Sequence, residues 1–129
     1  MNDKKFKICG IYGVSGVGKS TCAHLTLPEF PDYDCVATDN LLAINRMLNP
    51  SNPILQQSSY TSWKRFGEYN TSNLQKGFQE YRKTMNHYLN CVLERARDQE
   101  VGMIIEGIHI EPELFYSFEN SLDINLFLL

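Results

Sequence analysis

Residues 13–20 read Gly-Val-Ser-Gly-Val-Gly-Lys-Ser, the spacing Gly-x-x-x-x-Gly-Lys-Ser. An apolar stretch containing Phe6, Ile8, Ile11 and Tyr12 precedes it, and from Lys19 no helix breaker occurs until Pro28. Strand, glycine-rich turn and helix in that order are the context in which this spacing cradles phosphate. The physical reason lies in the backbone. Successive N–H groups of the turn converge on phosphate oxygens, and the start of the helix adds positive partial charge. Gly13, Gly16 and Gly18 leave that backbone free of Cβ atoms. Lys19 reaches β- and γ-phosphates, and the Ser20 hydroxyl can ligate Mg²⁺. Gly13, Val14, Ser15, Gly16, Val17, Gly18, Lys19, Ser20 and Thr21 therefore form the candidate nucleotide-binding segment. The competing reading is a glycine-rich turn of another α/β domain, with Lys19 and Ser20 as surface residues.

The rest of the chain alternates strand-like and helix-like segments, the pattern of a parallel sheet covered by helices. Strands are predicted at Phe6 to Tyr12, Asp34 to Thr38, Met103 to Ile108 and Asp123 to Leu129. A first helix runs from Lys19 to about Leu27, ahead of Pro28 and Pro31. A second covers Leu41 to Leu48, capped by Asp39 or Asn40. A polar loop spans Asn49 to Thr61, a length that marks functional or disordered segments, and a short helical piece follows around Ser62 to Phe66. Leu74, Phe78, Tyr81, Met85, Leu89, Val92 and Ala96 repeat at steps of three and four, which predicts one long helix capped by Thr71 or Ser72 and ending near Gln99. A short helix starts at Pro112 and runs through Phe118. The last apolar run reads as a fully buried strand. Such a strand needs cover on both faces, so the expectation is a chain truncated after its fourth strand, or a partner lying over it.

With 129 residues, the chain is sized for one domain and one core. Its net charge of -3 lacks the basic footprint of a nucleic-acid coat. No apolar run approaches the roughly 20 residues of a membrane helix, and Met1 to Lys7 has no signal-peptide core, so a cytosolic protein is expected. Cys9, Cys22, Cys35 and Cys91 form no Cys-x-x-Cys pair, which argues for free thiols packed as small hydrophobes rather than a zinc site. His24 and His87 are expected on helix surfaces or in packed contacts.

Three further positions carry possible chemistry. Asp39, in Ala-Thr-Asp-Asn, closes the second strand where the carboxyl ends of parallel strands form a crevice. It can orient an acceptor hydroxyl, take its proton, or simply cap a helix. Glu106 ends the apolar run Met-Ile-Ile-Glu, the character of a carboxylate that supports Mg²⁺; otherwise it is a strand-end acid in solvent. Arg46 lies one to two helical turns beyond Asp39 and offers a fork suited to a phosphorylated or carboxylated acceptor. Lys64 and Arg65 are weaker candidates of the same kind. His109 either lines the cleft or is a structural histidine.

Taken together, residues 13–21, Ala-Thr-Asp-Asn-Leu (37–41) with Arg46, Ser-Ser-Tyr-Thr-Ser-Trp (58–63) and Ile-Ile-Glu-Gly-Ile-His-Ile-Glu-Pro (104–112) resemble 2-phosphoglycerate kinase and the P-loop proteins with a 2-phosphoglycerate-kinase-like domain. The resemblance spans nearly the whole chain. It implies a three-layer P-loop fold and ATP-dependent phosphorylation of a small phosphorylated acid. On that basis Lys19 and Ser20 handle ATP and Mg²⁺, Asp39 lies near the acceptor, Glu106 supports the metal, and Arg46 and His109 stand by the cleft. It also implies that family members continue beyond Leu129, into an arginine-bearing lid and much of the base-binding surface. Two alternatives stay open: a kinase for a nucleoside, a sugar or a nucleic-acid 5′ end, and a nucleotide-binding regulatory module without catalysis.

Overall fold

The computed structural model describes residues 6–129. Four strands, β1 (Phe6–Tyr12), β2 (Asp34–Ala37), β3 (Met103–Glu106) and β4 (Leu122–Leu128), form one sheet in the order β2-β3-β1-β4. Every pairing is parallel. The helices are α1 (Lys19–Thr26), α2 (Thr38–Leu48), α3 (Thr71–Lys83), α4 (Asn86–Asp98) and α5 (Pro112–Tyr116), with 3₁₀ turns at Leu27–Glu29 and Ser62–Phe66.

Alternation along the strands divides the core in two. Ile8, Met103, Ile105 and Leu122 face a large cluster completed by Leu42, Tyr81, Met85, Leu89, Leu93 and Phe115 from the helices. Ile11 and Ile104 point to the opposite face, against Ala23 of α1. Period-two side-chain direction in the strands produces this split. The result is a parallel sheet covered by helices, as the alternating pattern predicts, in the three layers that the family resemblance implies. Among the described residues no helix is long and apolar enough to cross a membrane.

Several boundaries differ from expectation for identifiable reasons. The long helix predicted from Thr71 to Gln99 is two helices, broken at Thr84–Met85. The Thr84 hydroxyl donates to the Tyr81 carbonyl at 2.6 Å, and the Thr84 carbonyl accepts from Asn45 Nδ2 at 3.1 Å. Such competing bonds divert a helix from its own ladder. Asn70, rather than Thr71 or Ser72, caps α3 by accepting from the Asn73 amide at 2.8 Å. Gly77 sits inside α3 because the 3₁₀ turn passes against it: a Cβ there would stand 2.5 Å from the Ser62 and Trp63 backbone. Helix α2 begins at Thr38, so Asp39 lies in its first turn and is not its cap.

Among the described strands β4 stands at one end of the sheet, paired with β1, and Phe127 and Leu128 are exposed. Cys9 and Cys22 are half-buried, whereas Cys35 and Cys91 are exposed, and all are free. The expected packing of thiols as small hydrophobes holds only for the first pair. His24 and His87 are both on the surface.

Candidate phosphoryl-transfer site

The turn between β1 and α1 has the shape its glycines require. Gly16 (φ 84°) and Gly18 (φ 98°) occupy the left-handed region. A Cβ at either would meet nothing within 4 Å, so backbone conformation rather than crowding demands glycine there. Helix α1 starts at Lys19 with no side-chain cap and no acid in its first turn. Its first N–H groups are thus left for an anion. Lys19 is largely buried, and its Nζ donates to the Val14 carbonyl at 2.7 Å.

In front of this turn lies a cleft of about 330 Å³, lined by Ser15, Gly16, Gly18, Lys19, Ser20 and Thr21 on one side. Asp39, Glu106, Gly107 and Ile108 form the other wall. Parallel pairing brings this about: Ile11 of β1 is in register with Glu106 of β3, and Ala37 of β2 pairs with Glu106 on its other side. The carboxyl ends of three strands therefore discharge their loops at one edge. Ser20 Oγ donates to Glu106 Oε1 at 3.2 Å. Lys19, Ser20, Asp39 and Glu106, four positions singled out from sequence, meet at this cleft. Gly13, Val14 and Val17 belong to the same turn without lining it.

A hydroxyl beside a buried carboxylate suits a hard cation. Among the described residues no cluster of three or more His, Cys, Asp or Glu side chains could hold a metal ion.

Arg46 and His109 are not among the residues lining this cleft. Arg46 donates from Nε to the Leu55 carbonyl at 2.7 Å and from Nη2 to the Gln57 carbonyl at 3.0 Å. Its fork is spent on fastening the loop that follows α2, which is built around the fully buried Leu55. His109 is fully buried and does not line the cleft. Its Nδ1 lies 2.7 Å from Thr38 Oγ1, and its ring packs 5.4 Å from that of Tyr81. Burial pushes its imidazole down to about 4; Asp39 opposes that shift, and Arg46 and Lys19 reinforce it. Desolvation disfavours the charged form of the histidine there.

Sequence reasoning overlooked Thr38 and Gly107. Gly107 has φ 155°, and a Cβ on it would lie 1.7 Å from Thr38 Oγ1. This contact sets the approach of the loop after β3, which carries Glu106, to the start of α2, which carries Asp39. The adjacent Ala-Thr-Asp and Glu-Gly dipeptide signals hold no trace of it, since the contact is 69 residues apart in sequence.

A parallel sheet whose glycine-rich first turn opens on a Lys-Ser helix, with a carboxylate ending the neighbouring strand, defines the P-loop kinase fold. Solved structures share it. An APS kinase of Mycobacterium tuberculosis matches 96% of this chain and 75% of its own, with TM-score 0.55 and 16% identity. A sugar kinase of a Janibacter species matches 96% and 60%, with TM-score 0.52 and 17% identity.

In sequence the chain is similar to archaeal 2-phosphoglycerate kinases. It is 29% identical to that of Methanococcus vannielii over 126 residues, covering 88% of this chain and 40% of the relative. The Methanocaldococcus jannaschii enzyme is 30% identical over 115 residues, covering 86% and 37%. A mevalonate-3-phosphate 5-kinase of Thermoplasma acidophilum is 28% identical over 109 residues, covering 84% and 54%. No family model matches the chain. The chain spans about 40% of the length of the 2-phosphoglycerate kinases it matches.

Proposed function

We infer that residues 1–129 form a kinase-like domain whose cleft binds the triphosphate of ATP with Mg²⁺ and transfers the γ-phosphoryl group to a hydroxyl of a small phosphorylated acid. The first acceptor to test is 2-phosphoglycerate. The observation that carries this reading is the convergence of Lys19, Ser20, Asp39 and Glu106 on one cleft beside an uncapped helix start. The similarity to kinases of phosphorylated acids supports it.

On this reading the turn's N–H groups hold the phosphates, and Lys19 exchanges the Val14 carbonyl for phosphate oxygens. Ser20 and Glu106 would hold Mg²⁺, which neutralises charge on the phosphates when bound. Asp39, exposed at the opposite wall, orients the acceptor hydroxyl. As that oxygen bonds to the γ-phosphorus, the bond from phosphorus to the bridging oxygen breaks, ADP leaves, and the hydroxyl proton passes to Asp39. Positioning and charge stabilisation are all that such a transfer asks of a protein.

Incubation with γ-labelled ATP, Mg²⁺ and a panel of 2-phosphoglycerate, nucleosides, sugars and 5′-hydroxyl oligonucleotides tests the reading. Label on the phosphorylated acid, lost in Lys19→Ala, is the expected result. Label on another acceptor reassigns the substrate, and ATP bound with no transfer to any acceptor leaves a nucleotide-binding module in place of a kinase. Undiminished transfer in Lys19→Ala overturns the site.

A further inference from the structure

The sheet face that carries Ile11 and Ile104 has its own hollow, of about 460 Å³, beside helix α1. Its walls include Cys9, Ile11, Cys22, Phe30, Tyr33 and Phe127. The two cysteines are free and half-buried, and both line this one space.

Register decides which thiols can meet. Cys9 and Cys35 both pair with Ile104, on opposite sides of it. Two strand spacings, about 9.5 Å, therefore separate them. That exceeds the roughly 7 Å between Cα atoms that a disulfide can span. Cys22 stands differently. It reaches the same face from the first turn of α1, and it packs with Cys9 against one small cluster of Ile11, Ala23 and Ile104. Burial pushes the Cys9 thiol up, and the neighbouring Cys22 pushes it further, against the opposing charge of Lys7.

The pair brackets the phosphate turn. A bond between Cys9 and Cys22 encloses the whole of 13–20. The backbone of Cys22 is tied to that turn as well: its amide donates to the Gly18 carbonyl at 2.9 Å, and its carbonyl accepts from Thr26 Oγ1 at 2.8 Å. A pull on Cys22 toward β1 is thereby passed to Gly18, whose left-handed backbone shapes the turn. Phosphate binding asks Lys19 to release the Val14 carbonyl, and a stiffened turn opposes that rearrangement.

We propose that Cys9 and Cys22 form a thiol-pair modification site, which a low-molecular-weight disulfide closes into a covalent ring around the phosphate turn, weakening its hold on a triphosphate. One cysteine thiolate attacks the reagent's S–S bond, which breaks and releases the first reagent thiol. The other attacks the protein sulfur of that mixed disulfide. The Cys9–Cys22 bond forms, and the second reagent thiol leaves. The two cysteines are oxidised, and the reagent is reduced to two thiols that take up the two protons. A thiol reductant reverses the exchange. The effect on nucleotide rests on the kinase reading above; closure of the ring does not.

The full chain carrying both Cys35→Ser and Cys91→Ser tests this, since Cys9 and Cys22 are then its only cysteines. It is treated with glutathione disulfide at mildly alkaline pH, where more thiolate is present. The expected product has lost two hydrogens and retains no glutathione. Cleavage of the unfolded product at Lys19 and Glu29 should leave segments 8–19 and 20–29 joined. Amide exchange over 13–20 should slow. A non-hydrolysable ATP analogue with Mg²⁺ should bind about fivefold or more weakly, the lower end of coupling between linked sites. Dithiothreitol should restore it, and a chain with Cys22→Ala should show no such loss.

Glutathione retained on either cysteine without a ring overturns the proposal. So do two thiols left untouched by reagent that labels Cys35 in the unaltered chain, and so does a closed ring with unchanged analogue affinity. Failure of the kinase reading looks different: the reduced protein does not bind the analogue, or Lys19→Ala binds it equally well. Ring closure with slowed exchange over 13–20 then upholds the site, and unslowed exchange overturns it.

Discussion

Thr38 Oγ1 and His109 Nδ1 stand 2.7 Å apart, and both residues are fully buried. The bond joins the first turn of α2 to the loop that leaves β3. Asp39 follows Thr38 directly, and Glu106 lies three residues before His109. One buried hydrogen bond thus spans the two chain segments that supply the cleft's carboxylates.

That environment gives stability a pH dependence. Burial pushes the His109 imidazole down to about 4 in the folded protein, from its ordinary 6.5. A group whose folded value is depressed contributes stability above the unfolded value and loses it as pH falls through the folded one. Stability should therefore decline between pH 6.5 and 4, by an amount on the order of 3 kcal/mol from this group. Urea unfolding across that range should show the decline, and His109→Asn, which keeps an acceptor or donor for Thr38 without a titrating ring, should flatten it. An equally steep decline in the variant would rule out His109 as the source.

Gly107→Ala introduces a Cβ 1.7 Å from Thr38 Oγ1 at φ 155°. Overpacking and backbone strain together predict a loss of about 2–4 kcal/mol. The double variant with Thr38→Ala removes the contact with Oγ1 and leaves the one with the residue's Cβ at 2.7 Å, so part of the loss should be recovered and the two changes should be non-additive in denaturant melts. Simple additivity would mean that the pair is not in contact.

Arg46→Ala should loosen the segment after α2 without touching the nucleotide. Two carbonyls, of Leu55 and Gln57, lose their donors, at about 1–3 kcal/mol where such groups stay buried. Faster amide exchange across 50–60 with unaltered ATP affinity is the expected pattern. A selective rise in the Michaelis constant of the acceptor with protection intact would return Arg46 to the substrate site.

Asp39→Asn separates proton transfer from binding. Loss of a general base lowers turnover by about 10²–10⁴-fold, while the phosphate contacts, made on the opposite wall, stay in place. Single-turnover rates and ATP-analogue affinity measured together check this, and a loss of affinity matching the loss of rate would assign Asp39 to the metal instead.

Glu106→Gln leaves a hydrogen-bond acceptor for Ser20 but removes the charge. The Mg²⁺-dependent part of ATP affinity should shrink, while binding of ATP without Mg²⁺ should be equal or tighter once a negative wall is neutralised. A uniform loss with and without Mg²⁺ would point to a structural role for Glu106 alone.

Much of the architecture could be read from local signals. Strand β1 and helix α1 follow from an apolar run, a glycine-rich turn and a stretch without breakers. Lys19, Ser20, Asp39 and Glu106 were legible because each sits at a strand end or helix start, where parallel topology sends side chains to one edge. The break at Thr84 was not legible, because it depends on Asn45, a side chain 39 residues away that captures a carbonyl. The bonds of Arg46 were not legible for a similar reason: its spacing from Asp39 suggests a shared crevice, and only the folded chain shows it donating to the Leu55 and Gln57 carbonyls.

The chain's own order of residues determines that a glycine-rich turn opens on a Lys-Ser helix start here, since backbone freedom at Gly16 and Gly18 and the Lys-Ser pair are local properties. Which groups share the space around that turn was decided only by folding. Strand register puts Glu106 beside Ser20, and the Gly107–Thr38 contact brings α2 close. Contacts between distant segments depend on packing of the whole core, and pattern along a single segment carries no record of that packing.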